Sequence, residues 1–129
     1  LVTILHAGYL FIPLGFGLAG LAAMLDDASL ATGAVHAWTT GAIGTMTLAV
    51  MTRATLGHTG QTLSAGPATF FIYLSVLIAA FSRLGAALLP DSSELLLAVS
   101  ATAWVAAFGG FGLVYGPLLI GRRRDVVER

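Results

Sequence analysis

The sequence predicts an all-α, polytopic transmembrane helix bundle with four spans. Three observations predict it. Hydrophobic residues make up 57% of the 129 positions, and mean hydropathy is +0.93. Only 9% of residues are charged, against roughly 25% in soluble domains, too few to cover a water-facing surface. Finally, four separate stretches reach the roughly 20 apolar residues that a membrane-crossing helix needs.

The same composition excludes other classes. Disordered chains are poor in apolar residues. With a net charge of zero and no basic stripe, the chain is not a nucleic-acid binder. It has no cysteine, so disulfides, thiolate metal sites and cysteine nucleophiles are absent. Sustained period-two alternation is missing and Ala, Leu and Gly dominate, which argues against a membrane β-barrel.

The first span covers 1–25 and is interrupted only by His6 and small residues. It lacks a basic lead-in and its apolar stretch is too long for a signal peptide. Without an initiating Met, the chain reads as cut from a longer protein or processed. The second span is expected at about 35–56, the third at 68–89 and the fourth at 95–120. The connections LDDASLATG, GHTGQTLSAG and LLPDSSE hold Gly, Pro, Asp or Ser, which end helices. Asp91 or Ser92, ahead of Glu94 and an apolar run, is expected to cap the fourth helix. Residues 1–121 thus form the membrane bundle, and 122–129 a basic tail.

Charge placement sets the direction. Arg53 ends the second span, and Arg122, Arg123, Arg124 and Arg129 follow the fourth. Asp26, Asp27, Asp91 and Glu94 lie at the opposite ends of the spans. Basic residues concentrate on the cytoplasmic side. This places both ends of the chain and the His58 loop in the cytoplasm, and the acidic loops outside. Arg83 is the one basic residue that breaks the pattern.

Ionisable groups inside a span are costly, so each is a functional candidate. His6 lies in the first span, His36 near the outer start of the second, and His58 just past its inner end. Counted from the first loop, His6 is roughly 30 Å deeper than His36, so those two cannot share a metal. His6 and His58 are expected at one depth, where they could share a site. Neutral imidazole suits iron, copper and zinc; each histidine also reads as a polar tip at the headgroup level.

His36, Thr40, Thr47 and Met51 form a polar stripe at 100° per residue. His6, Pro13, Gly17, Gly20 and Met24 share a face of the first span. Membrane threonines ordinarily bond their own helix carbonyls. Small residues recur at Gly15, Gly17 and Gly20, at Gly41 and Gly44, and from Gly109 to Gly116. Such faces pack helices closely or accept a flat cofactor, and spacing leaves both open. Arg83 sits roughly 9 Å inside the third span. It can snorkel outward, pair with Asp26 or Asp27, or hold an anionic group such as a haem propionate. Arg53 also reads as a plain positive-inside anchor. No HExxH, GxSxG or P-loop occurs, no helix pairs histidines at di-haem spacing, and no carboxylate lies deep in a span.

The run HAWTTGAIGTMTLAVMTRATLGHTGQ, from His36 to Gln61, resembles the signature of the NnrS family. So does the opening LHAGYLFIPLGFGLAGLA, from Leu5 to Ala22. The later pattern is also similar: Ile72-Tyr73, Arg83, Pro90, Trp104-x3-Phe108 and Tyr115-x-Pro117. The resemblance spans essentially the whole chain. It implies the C-terminal portion, or a truncated relative, of a bacterial inner-membrane protein of about twelve helices. It further implies haem and copper as cofactors, and a role in nitric oxide metabolism and protection against nitrosative stress. His6, His36, His58 and Arg53 fall within the family-like runs and become candidate cofactor-binding residues, with Arg83 beside them. The implied partners are the lipid bilayer, the remaining helices or other subunits, and nitric oxide. The rival reading is a transporter or permease-like bundle without a redox cofactor.

Overall fold

The computed structural model describes residues 1–121, which form helices joined by loops. The expected basic tail at 122–129, including Arg122, Arg123, Arg124 and Arg129, lies outside the described residues. The first helix, α1, is Val2–Leu25. It ends where Asp26 turns left-handed, φ 52°, with its N–H and that of Asp27 donating to Ala22 O. Asp is one of the few residues that tolerates this conformation.

Asp27 then starts the next helix at once. Its Oδ1 accepts from the N–H of Ser29 (2.7 Å) and Leu30 (3.2 Å), the donors that a helix start leaves unpaired. Consequently α2, Ala28–His36, begins seven residues before the expected start at 35. It runs directly into a π-helical stretch, Ala37–Gly44, and then α3, Thr45–His58. The three pieces form one helical rod, about 45 Å long at 1.5 Å per residue. The rod closes with a Schellman motif: Gly60 is left-handed at φ 69°, its N–H donates to Gly57 O, and that of Gln61 to Leu56 O at 2.9 Å.

Gly66 and Pro67 open α4, Pro67–Leu88, with proline at the first turn, where its missing N–H is harmless. A single 3₁₀ turn, Pro90–Ser92, leads into α5, Ser93–Ile120. Neither Asp91 nor Ser92 caps α5 through its side chain. The 3₁₀ turn instead uses the backbone, Ser92 N–H donating to Leu89 O at 3.1 Å.

Among the described residues three helices are long and apolar enough to cross a membrane: Val2–Leu25, Pro67–Leu88 and the Pro90–Ile120 stretch. The expected second span has a different form. The π stretch divides the rod into pieces of nine, eight and 14 residues, none of spanning length alone. Three of the four expected spans are thus matched by helices of spanning length, and the composite rod stands in the place of the second.

The rod and α4 make the centre of the bundle, with α1 and α5 on its flanks. One apolar cluster joins Ile4 of α1, Leu48 of the rod, Val76 of α4, and Ala107 and Phe111 of α5. A second joins Phe11, Ala37, Ala42 and Ala80. The outward faces stay apolar, with Phe16, Met24, Leu113 and Ile120 uncovered, as suits an environment of lipid or further helices.

Candidate functional site

Glycines set how the rod meets its neighbours. A Cβ on Gly15 would lie 2.2 Å from Trp38 Nε1, on Gly41 2.4 Å from Phe11, and on Gly8 2.7 Å from Met46. These approaches fix α1 and the rod as antiparallel. On the other side, Leu84 and Leu88 of α4 pack on Gly33. Trp104 of α5 lies over Gly44, and Leu96 over Gly85.

This register gives each candidate residue a level. His6 is level with about Thr47, and His36 with about Phe16. His58 lies beyond the first residue of α1. The three histidines are therefore stepped along the bundle at intervals of about 16 Å. His6 and His58 do not share a depth, contrary to the expectation above. The reason is the early start of α2, which lengthens the rod and carries His58 away from the acidic turn. Among the described residues no three His, Asp or Glu side chains are grouped to hold a metal ion.

His6 is exposed on α1. Its Nδ1 is 3.0 Å from Val2 O, and since a carbonyl only accepts, Nδ1 carries the proton. When the ring is neutral, this leaves the lone pair on Nε2. The face it shares is equally bare: Pro13, Gly17, Gly20 and Met24 are all exposed, and nothing lies within 4 Å of a Cβ built on Gly17 or Gly20. Here the small residues do not pack against any described helix.

His36 ends α2, immediately before the π stretch, and is half-buried. Arg83 of α4 is also half-buried, and its charge acts on the His36 ring. The helix register agrees, since Leu84, next to Arg83, touches Gly33, one turn before His36. The structure thus joins two basic residues that sequence spacing left apart. Asp27, one of the carboxylates considered for Arg83, is engaged as the α2 cap. Arg53 and His58 are exposed on the last two turns of α3.

The expected stripe of His36, Thr40, Thr47 and Met51 does not survive as one face. It crosses the π stretch, whose wider turn breaks the 100° arithmetic. Trp38, on that stretch, escaped the sequence reading. Its Nε1–H donates to Ile12 O at 3.2 Å, and its ring meets Phe16 edge-on at 5.0 Å. A tryptophan facing a glycine one helix away was the available signal, but only the register reveals it.

Among the described residues, open pockets lie against both ends of α1. One, of about 410 Å³ at the acidic end, is lined by alanines of α1 and α2 with Asp26, Asp27 and Trp38. The other, of about 280 Å³ at the opposite end, lies between α1 and α4 and includes Ile4, Phe70 and Tyr73. Neither is lined by a histidine. The imidazoles fit a haem or copper ion as donors, but they face the outside of this bundle or the seam at Arg83 rather than an enclosed cavity.

A family model described as NnrS protein matches residues 1–123. No curated protein and no solved structure matches the chain. The chain belongs to the NnrS family, which makes it a membrane protein related to nitric oxide in general.

Proposed function

We propose that this member of the NnrS family is a four-crossing part of a haem- and copper-containing protein of the bacterial inner membrane, acting in the nitric oxide response and in protection against nitrosative stress. The rod would serve as the fourth crossing, since its length suffices and Arg53 is its only charged residue. The basic end, with Arg53, would face the cytoplasm.

One observation carries the cofactor reading. His6 sits on a membrane-crossing helix with Nδ1 tied to Val2 O, Nε2 free, and a glycine-smoothed face running away from it. An uncovered imidazole in hydrocarbon is costly unless something occupies its free nitrogen. His36 offers a second imidazole, and Arg83 beside it a guanidinium suited to a carboxylate such as a propionate. A bound iron or copper would supply a coordination position for nitric oxide. The chain's own part is to orient the imidazoles and to hold the anionic edge of the group. A copper site would need ligands beyond those the described residues bring together.

Optical spectra and metal analysis of the purified full-length protein test this. A Soret band or bound copper is expected, and His6→Ala should lower that content, whereas His58→Ala should leave it unchanged. Absence of both haem and copper from the intact protein would refute the reading. A permease-like bundle without redox cofactor is the second reading, favoured by the π-helical interruption of the rod. Unchanged cofactor content in every histidine variant, alongside altered solute uptake, would select it.

A further inference from the structure

A groove opens where the chain turns from α1 into the rod. It has a volume of about 410 Å³, and its walls are alanines, among them Ala19 and Ala23 of α1 and Ala31 of α2. Asp26 and Asp27 stand at one end of it and Trp38 at the other. From Ala28 to Trp38 the rod advances about 15 Å, which sets the length of the groove. Since α1 is long and apolar enough to cross a membrane, the groove reaches from the polar turn to about half the depth of a roughly 30 Å hydrocarbon core. Its deep end is fixed, because Trp38 is seated on Gly15 and donates Nε1–H to Ile12 O. At its mouth both aspartates are exposed, and among the described residues no Arg or His lines it. The α2 cap occupies only Oδ1 of Asp27.

Shape and charge together select the occupant. Volume over length gives a cross-section of roughly 27 Å², well under half that of a helix 10–12 Å across. An extended hydrocarbon chain fills such a groove, whereas a further helix would rest on its rims. The alanine walls offer only apolar contact, and the two carboxylates at the mouth attract a cation. The occupant is therefore an amphiphile with an apolar chain and a cationic head at the level of the polar turn. A primary ammonium brings three N–H donors for charge-assisted hydrogen bonds to carboxylates. A choline head has no such donor, and a glycerol head leaves its phosphate charge unbalanced beside the aspartates. We propose that the α1–α2 groove binds one ethanolamine phospholipid, with an acyl chain along the alanines towards Trp38 and the ammonium at Asp26 and Asp27. The site involves none of the histidines and stands apart from the cofactor reading.

The test uses the intact protein, purified in detergent and titrated with phosphatidylethanolamine, phosphatidylcholine and phosphatidylglycerol of identical chains. Native mass spectrometry counts the bound lipid. The ethanolamine lipid should bind about three- to fivefold more tightly than the other two, the range for an exposed ion pair. Asp26→Asn removes one carboxylate but keeps the turn, because Asn also tolerates left-handed backbone. It should shrink that preference. Ala31→Leu narrows the groove and should weaken the ethanolamine and choline lipids alike by about fourfold, the effect of one buried methylene. An ethanolamine lipid with a diazirine on its acyl chain should crosslink within residues 19–38. Equal affinity of the parent protein for all three lipids overturns the proposal, as does an unaltered preference in Asp26→Asn. Crosslinks confined to other segments overturn it too, the outcome if a further helix covers the groove. The parent titration and the crosslinks decide even if a variant fails to fold.

Discussion

The seam between α1 and the rod and the outer face of α5 are built from the same residue and use it in opposite ways. At the seam, Gly8, Gly15 and Gly41 vanish beneath Met46, Trp38 and Phe11, so each glycine is a socket for a large side chain. On α5, nothing lies within 4 Å of a Cβ built on Gly109, Gly112 or Gly116. Leu113, beside them, is 82% exposed. The lesson is that a small residue in a membrane helix records closeness only where a bulky partner faces it. Spacing such as Gly112-x3-Gly116 looks the same in both cases.

Substitutions can break this contrast in three steps of decreasing size. Gly15→Ala should be the most damaging, because the new methyl would overlap the rigid Trp38 indole and displace its bond to Ile12 O. We expect a loss of about 1–3 kcal/mol from overpacking, read as a lowered midpoint of thermal or detergent unfolding. Asp27→Ala tests whether the seam also depends on how the rod begins. Losing the two N–H contacts of the cap should cost about 1 kcal/mol, and Asp27→Asn should recover most of it. Gly112→Ala should be harmless in the isolated chain, or stabilising by about 0.5–1 kcal/mol, since alanine favours helix over glycine. In the intact protein the same change sharpens the comparison. A destabilisation there would mean that another helix covers this face, and the contrast with the seam would then disappear.

The His6→Ala and His58→Ala pair extends the contrast to cofactor binding. His6 belongs to the uncovered face of α1, while His58 sits at the exposed end of the rod. Only the former combines a fixed tautomer with a bare neighbouring surface.

Much of the architecture was legible beforehand. The bounds of α1, α4 and α5 follow from runs of apolar residues closed by Asp26, Gly66-Pro67 and Pro90, whose local chemistry ends or starts helices regardless of what surrounds them. The start of the rod was misplaced because Ala28 to Gly33 is only weakly apolar. The capping role of Asp27 outweighs that composition. The π stretch left no trace in hydropathy, since a change of turn angle does not alter which residues are apolar. The candidate residues were named from their cost in hydrocarbon, an argument that holds for His6, His36 and Arg83 without any structure.

By itself, then, the sequence determined the membrane class, the helical ends and the short roster of ionisable residues, because these depend on transfer from water and on local backbone chemistry. Tertiary structure alone decided who meets whom. It separated His6 from His58, brought Arg83 to His36, seated Trp38 on Gly15, and bonded Tyr115 to Thr69. Each of these depends on helix register, and register is set by which side chain fills which glycine socket. That is a property of two helices together, which no single stretch of sequence contains.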